Sequence, residues 1–348
     1  MSPYVLALLL FSLGLGTTAT FASSHWLIAW IGLEVNTLAI IPLMVQNHHP
    51  RAVEAATKYF LIQASAAAVL LFAATTNAWL TGQWDIQHSA HPLPITIMTL
   101  ALALKLGLAP LHSWVPEVLQ GLNLTTGLIL ATWQKMAPLA LLLQVNPSSS
   151  PLLVLLGLAS TLIGGWGGLN QTQLRKILAY SSTAQLGWMV LVLQYAPSLT
   201  ALTLSVYIAA ATATFLTLKL AKATNINMLA VSWAKAPALI ALTPLVLLSL
   251  AGLPPMTGFM PKWLILQELT KQGLAPTATL VALTALLSLY YYLRLTYTMT
   301  LTMFPNNLTG TPPWRLRSRQ ITLPLACLAI ATVSLLPLTP SAVALMTL

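Results

Sequence analysis

The sequence contains very few charged residues. Asp, Glu, Lys and Arg make up 6% of its 348 residues, whereas a soluble domain carries about 25%. Hydrophobic residues make up 57%, and no segment is long and polar enough to form a separate soluble domain. The composition therefore predicts a single integral membrane domain of the all-α class.

Cysteine is almost absent. The single cysteine, Cys327, excludes a disulfide framework, a zinc site and a cysteine-ligated iron–sulfur cluster. No complete dinucleotide fingerprint, phosphate-binding GxxxxGK[ST] loop or haem-spaced histidine pair is found. The net charge of +10 comes from scattered basic residues, without the basic-aromatic interleaving of nucleic-acid-binding proteins. We expect no metal, cofactor or nucleic acid on this chain, so energy must come from an ion gradient or a partner.

Eleven apolar segments approach or exceed the roughly 20 residues that a membrane-spanning helix needs. The predicted spans are residues 3–22, 25–46, 57–81, 93–116, 123–144, 151–169, 176–195, 199–222, 237–270, 276–303 and 322–346. The fourth and ninth are long and interrupted by prolines. The first has no basic leader and no cleavage site, so we expect it to be retained as a span.

The distribution of basic residues predicts the orientation of the spans. Loops after odd-numbered spans contain only Lys271. Loops after even-numbered spans contain Arg51, Lys58, Arg175, Lys176, Lys219, Lys222, Lys235, Arg315, Arg317 and Arg319. Because basic loops stay on the inner side, the N-terminus is expected on the cytoplasmic or matrix side and the C-terminus opposite.

Two proline-containing segments repeat at a fixed distance. Residues 107–118, GLAPLHSWVPEV, align with residues 252–263, GLPPMTGFMPKW, at an offset of 145 residues. The repeat joins span 4 to span 9, and this odd shift inverts the second copy. We therefore predict two inverted five-helix repeats, at about 3–144 and 151–303, and an extra C-terminal helix at about 322–346. Proline-broken helices survive in lipid only inside protein or beside water, which favours a hydrated interior over simple packing kinks.

Four ionisable residues lie near the middle of predicted spans: Glu34, Lys105, Lys135 and Lys262. A central lysine costs about 2.5–3.5 kcal/mol on insertion scales, and a mere scaffold gains nothing from that cost. We interpret the four as proton carriers, with Glu34 controlling whether Lys105 keeps its proton. Snorkelling and static ion pairing are the alternatives.

His112 lies in the first proline-containing break. Histidine titrates near neutral pH, so this side chain can bridge two lysines in a proton path. Alternatively, it hydrogen-bonds the backbone carbonyls that the break leaves free.

Four segments resemble a known family. They are LALKLGLAPLHSWVPEV, LAGLPPMTGFMPKW, WIGLEVNTLAIIPLM and KILAYSSTAQLGWM. These segments are similar to signatures of the antiporter-like subunits of respiratory complex I, which are related to the Mrp cation/proton antiporters. Bacterial members have fourteen spans, and eleven is typical of the mitochondrially encoded animal members.

The resemblance implies roles for individual residues. Glu34 and Lys105 match the family's glutamate–lysine pair, Lys135 its central lysine and Lys262 its terminal lysine. Many members also have a histidine or lysine in a central linking position. His112 is the only candidate for it here, so the continuity of the path stays open.

The resemblance also implies an assembly and a location. The chain would be a subunit of the H⁺-translocating NADH:ubiquinone reductase, in which other subunits bind NADH, FMN, iron–sulfur clusters and ubiquinone. Its partners would be other membrane-arm subunits, including neighbouring antiporter-like subunits, and phospholipids such as cardiolipin. It would lie in the mitochondrial inner membrane, with its N-terminus in the matrix and its C-terminus in the intermembrane space. A free-standing cation/proton antiporter and a passive structural subunit remain as alternatives.

Overall fold

The regular structure of the described residues is helical. The computed structural model describes residues 2–46, 48–87, 91–145, 151–232, 237–301 and 323–347. Within them, six helices are long and apolar enough to cross a membrane, and four shorter helices are also apolar. This supports a multi-pass membrane protein, while the count of eleven spans stays a prediction. The basic loop residues Lys235, Arg315, Arg317 and Arg319 lie outside the described residues.

The chain divides into two compact units, Met1–Ala159 and Ser160–Leu348. The first unit contains α1 (Pro3–Ala22), α2 (Trp26–Met44), α3 (Pro50–Thr81), α4 (Pro92–Leu106), α5 (Trp114–Gly121), α6 (Leu124–Ala131) and α7 (Trp133–Val145). Helix α8 (Pro151–Gly167) begins in the first unit and ends in the second.

The second unit continues with further helices. They are α9 (Leu174–Val192), α10 (Pro197–Ala221), α11 (Ile226–Val231), α12 (Pro237–Ala251), α13 (Phe259–Lys271), α14 (Ala275–Thr300), α15 (Leu323–Ser334), a 3₁₀-helix (Leu336–Leu338) and α16 (Thr339–Thr347).

Each unit contains a helix broken at the predicted proline-containing segment. Helices α4 and α12 both have 15 residues, and each ends at a glycine with positive φ, 79° at Gly107 and 81° at Gly252. The glycine suits this position because it adopts left-handed backbone angles without a Cβ clash. The next helices begin at Trp114 and Phe259, so starts, ends and glycines all keep the 145-residue offset. This correspondence supports related halves, whereas their inverted orientation stays a prediction.

Three predicted spans differ from the structure, either in where they begin or in being interrupted. Span 3 begins earlier, at Pro50, because the His49 imidazole caps α3 by accepting the Arg51 N–H at 3.2 Å. Span 5 is interrupted at Thr132, whose hydroxyl donates back to the Leu128 carbonyl at 2.8 Å, a bond that bends helices. The C-terminal span is divided before α16 by the 3₁₀ turn around Pro337.

A threonine connects the second break to the C-terminal helix. The carbonyl of Thr332 accepts both the backbone N–H of Thr257, at 3.3 Å, and the Thr257 hydroxyl. Thr332 lies in the last turn of α15, where carbonyls have no donor from their own helix. The Thr257 hydroxyl therefore satisfies a helix end that would otherwise lack a partner inside the protein.

The variant Thr257→Val is expected to weaken this connection. It keeps the side-chain shape but removes the donor, and a buried hydrogen bond contributes about 1 kcal/mol. The measurement is the temperature at which the assembled protein disappears from a native gel. Thr257→Ser, which restores the hydroxyl, is the control, and equal behaviour of the two variants would argue against a role for this bond.

Candidate functional site

An acid and a base face each other in the first unit. Glu34 lies on α2 and Lys105 lies in the last turn of α4, with Lys105 Nζ 3.9 Å from Glu34 Oε1. The Lys105 side chain is only 1% exposed, and that of Glu34 is 22% exposed. The Thr37 hydroxyl donates to Glu34 Oε2 at 3.1 Å. The separation exceeds a normal N–H···O hydrogen bond, so the charges attract each other while the lysine proton is not committed to the carboxylate.

The break after α4 creates backbone acceptors beside Lys105. The Gln63 side-chain amide donates to the Lys105 carbonyl at 3.3 Å, and the Trp114 indole donates to the Leu104 carbonyl at 3.1 Å. Both carbonyls belong to the last helical turn, where the i+4 N–H donors of the helix run out, and the Leu104 carbonyl also accepts the Gly107 N–H at 3.2 Å. Side chains from α3 and α5 thus satisfy the helix end inside the protein.

Lys105 and Lys135 line the same internal cavity of the first unit. Its volume is about 20 Å³, room for about one water molecule. The other polar lining residues are Asn36, Thr37, Tyr59, Gln63, Trp114 and Gln134. The Asn36 side chain is 2% exposed, and neither its oxygen nor its nitrogen has a hydrogen-bond partner. Since buried amides are normally hydrogen-bonded, a water molecule in this cavity would give the Asn36 side chain a partner.

Lys135 lines the cavity from a position just after the interruption of span 5. It is the third residue of α7, which begins just after Thr132, and it is 4% exposed. The neighbouring Gln134 donates its amide to the Asn36 carbonyl on α2 at 3.2 Å. This bond joins α7 to α2 and holds Lys135 at the cavity shared with Lys105.

His112 occupies the segment between α4 and α5 and is half-buried. It is not among the residues that line the cavity of Lys105 and Lys135. A bridge through His112 therefore stays a prediction, whereas the two lysines already face one space.

Lys262 occupies the corresponding break of the second unit. It lies in the first turn of α13, is 8% exposed, and donates from Nζ to the Ala251 carbonyl at 2.7 Å. Nζ also lies 5.6 Å from the centre of a Trp188 ring, close enough for a cation–π interaction. A Cβ at position 252 would lie 2.8 Å from Lys262 Cδ. Glycine at that position therefore gives the lysine room to fold back onto the end of α12.

A second small cavity surrounds Lys262. Its volume is also about 20 Å³, and its polar lining residues are Gln185, Trp188, Thr203, Tyr207 and Ser249. The Gln185 amide donates to the Leu250 carbonyl at 3.0 Å. Leu250 follows Lys105 by the same 145 residues, so in both units a glutamine amide bonds the carbonyl two residues before the break glycine.

Comparison with known proteins identifies the family. A family model described as "NADH:quinone oxidoreductase/Mrp antiporter, TM" matches residues 23–288, and one described as "NADH dehydrogenase subunit 2 C-terminus" matches residues 289–343. The chain belongs to the NADH:quinone oxidoreductase/Mrp antiporter family. The match to that family includes Glu34, Lys105, His112, Lys135 and Lys262.

Individual relatives of this family are similar along nearly the whole chain. NADH-ubiquinone oxidoreductase chain 2 of Tetraodon nigroviridis is 70% identical over 340 residues, 98% of both chains. The Salmo salar protein of the same name is 68% identical over 349 residues, 100% of both chains. A chain in a solved structure of respiratory complex I from Thermus thermophilus is 28% identical, with a TM-score of 0.87, covering 99% of this chain and 80% of that one.

The structure adds uncharged residues to the candidate site of this family member. Asn36, Gln63 and Gln134 line the first cavity, and Gln185 and Tyr207 line the second. The sequence contains a signal for them, because an amide in the middle of an apolar span must find an internal partner. These positions carry no charge, so the distribution of charged residues alone does not identify them.

Proposed function

We propose that this chain is the proton-translocating, antiporter-like chain 2 subunit of the membrane arm of NADH:ubiquinone oxidoreductase. The observation that carries the proposal is the cavity of the first unit, where Lys105 and Lys135 face a common space and Glu34 lies 3.9 Å from one of them. The curated relatives from fishes bear the name of that chain. Buried ionisable groups inside a membrane mark ion pathways.

The geometry suggests how a proton moves. With Glu34 charged nearby, Lys105 retains its proton. If Glu34 moves away, Lys105 loses the attraction that favours its charged form, and it passes its proton through the cavity water to Lys135, provided that Lys135 has first released its own proton. Lys262 would continue the path in the second unit. Quinone reduction in other subunits would supply the change in charge that starts each cycle.

The same proposal assigns partners and a location. Other subunits bind NADH, FMN, iron–sulfur clusters and ubiquinone, so this chain contributes proton transfer and no redox chemistry. Its neighbours are other membrane-arm subunits, antiporter-like ones among them, and phospholipids such as cardiolipin. The chain lies in the mitochondrial inner membrane, with the N-terminus in the matrix and the C-terminus in the intermembrane space.

A free-standing cation/proton antiporter is the second candidate, since the family includes the Mrp antiporters. Such a protein needs a cation site built from carboxylates and carbonyls. Here the carboxylates of Glu54 and Glu117 are exposed and both bind Lys58 at 2.9 Å, while Glu34 faces Lys105. A native gel of mildly solubilised inner membranes tests membership. Comigration with a very large NADH-oxidising band supports the proposal, and a small separate band supports the antiporter.

Lys105→Met tests the pumping role. Methionine fills similar space but carries no proton, so we expect fewer protons pumped per electron pair in sealed vesicles oxidising NADH with quinone. Lys271→Met is the matched control, because the Lys271 side chain is 61% exposed and pairs only loosely with Glu268 at 3.6 Å. If both variants pump as the unmodified protein does, the subunit is structural and the proposed function is wrong.

A further inference from the structure

A groove lies between α10 and the C-terminal helices of the second unit. Its deeper part has a volume of about 290 Å³, roughly twice that of an apolar cavity that holds one benzene molecule. Most of its lining side chains are aliphatic: Leu202, Val206, Ala209, Ala331, Leu335 and Leu338. Water gains few hydrogen bonds in such a space, so its composition favours an apolar occupant.

The polar side chains of the deeper part have already used their donors. They are Ser205, Thr257, Thr332 and Thr339. The hydroxyls of Ser205, Thr332 and Thr339 each donate to the backbone carbonyl three residues earlier, at 2.7, 2.9 and 2.6 Å. The Thr257 hydroxyl donates to the Thr332 carbonyl. Since a hydroxyl has one proton to donate, this part of the groove suits a hydrocarbon chain better than a row of water molecules.

The groove continues to the end of α10. Leu202 also lines a neighbouring cavity of about 230 Å³, to which the last turns of α13 contribute. The lining residues of α10 share one helix face: Ser198, Leu199, Leu202, Ser205, Val206 and Ala209. From Ser198 to Ala209 this face extends over roughly 16 Å, at about 1.5 Å per residue. That length matches half of the roughly 30 Å hydrocarbon core of a bilayer, which is the depth of one leaflet.

The mouth of the groove combines an acid with a base. Glu268 and Lys271 lie in the last turn of α13, and both line the shallower cavity. Glu268 Oε2 is 3.6 Å from Lys271 Nζ, which is longer than a hydrogen bond, so this carboxylate oxygen can accept a donor that enters the groove. Because the two charges balance, the mouth suits a zwitterionic head group better than an anionic one.

We infer that the groove binds one phosphatidylethanolamine molecule, with an acyl chain along α10 and the ammonium group of its head on Glu268. A primary ammonium donates hydrogen bonds to a carboxylate, whereas the quaternary ammonium of a choline head has no N–H. The orientation proposed from the basic loops places the mouth on the intermembrane-space side. The end of the chain would lie beside Thr257 and fill the gap next to its bond with Thr332, a role that is independent of proton transfer.

A photoreactive phosphatidylethanolamine tests the site. The probe carries a diazirine near the end of one acyl chain and is incorporated into inner-membrane vesicles that contain the assembled complex. The complex is purified in mild detergent to remove loosely associated lipid and then irradiated, and labelled residues are identified by mass spectrometry. We expect the label on residues 205–209 and 331–338 to exceed several-fold that on the exposed face of α14, at Leu283 and Leu286, which are 62% and 59% exposed.

Ala331→Phe tests whether the label depends on the groove. The added ring occupies the space of the acyl chain, so we expect labelling of residues 205–209 to decrease several-fold. Ile330→Phe is the matched control, because Ile330 is the preceding residue of α15, is 64% exposed and does not line the groove.

Glu268→Gln tests the head group. With the unmodified protein we expect about tenfold more label from this probe than from a phosphatidylcholine with the same acyl chain, the effect of one charge-assisted hydrogen bond. The Glu268→Gln variant keeps the shape of the side chain and removes its charge, so this preference should disappear.

Two results with the unmodified protein would overturn the inference. If residues 205–209 carry no more label than Leu283 and Leu286, the groove does not retain a lipid. If phosphatidylcholine or cardiolipin probes label the groove as well as the ethanolamine probe does, the head-group assignment is wrong. Both results are obtained without any substitution, so they decide the matter even if a variant fails to assemble.

Discussion

Charge reversal in the variant Glu34→Lys is expected to abolish stable incorporation of the chain into its complex. Glu34 Oε1 lies 3.9 Å from Lys105 Nζ, and the Lys105 side chain is 1% exposed. Two unit charges about 4 Å apart interact by roughly 4 kcal/mol at the effective dielectric constant of a partly buried site. The variant converts that attraction into repulsion, a change comparable with the whole stability of about 5–15 kcal/mol of an average domain. The measurement is the amount of assembled chain on a native gel and its half-life after a pulse of synthesis.

The exchanged pair is the control for this prediction. Combining Glu34→Lys with Lys105→Glu restores opposite charges at the same two positions. We expect the double variant to assemble better than either single variant, which is the non-additivity of a directly interacting pair. Normal assembly of Glu34→Lys alone, with no further gain in the double variant, would mean that the two charges do not depend on each other.

The broken helices are predicted by the sequence because their signals are local. A glycine that ends a helix and prolines that prevent its continuation act on their own backbone, and the 145-residue repeat places both. Gly107 and Gly252 accordingly have positive φ in the structure. The interruption at Thr132 lacks such a signal, since the threonine hydroxyl bonds within its own helix in a way that many uninterrupted helices also contain.

The candidate site is only partly contained in the sequence. Hydropathy identifies Glu34, Lys105, Lys135 and Lys262 because each is an ionisable residue in an apolar span, where its charge costs free energy. That Lys105 and Lys135 line one cavity depends on the packing of α4 against α7, a tertiary property that no local pattern encodes. His112 is close to Lys105 in the sequence, yet it does not line this cavity. Closeness in sequence therefore does not place a residue at the site.

The second large effect is expected from Gly258→Ala, at the start of α13. A Cβ at position 258 would overlap the backbone carbonyl oxygen of Ser249 in the last turn of α12. Overpacking against side chains typically costs about 1–3 kcal/mol, and a backbone carbonyl has no rotamer by which to move away. The two halves of the broken helix must therefore separate. We expect a large loss of assembled protein on native gels and a lower temperature of disassembly for what remains.

Separating α12 from α13 also has a functional consequence. The close approach of these two helices allows Lys262 Nζ to reach the Ala251 carbonyl at 2.7 Å. Any assembled Gly258→Ala protein should therefore pump fewer protons per electron pair. Gly14→Ala is the matched control. It makes the same substitution in α1 with nothing within 4 Å of the new Cβ, and alanine favours a helix over glycine by up to about 1 kcal/mol. If the two variants disassemble at the same temperature and pump equally, the contact between Gly258 and Ser249 does not position Lys262.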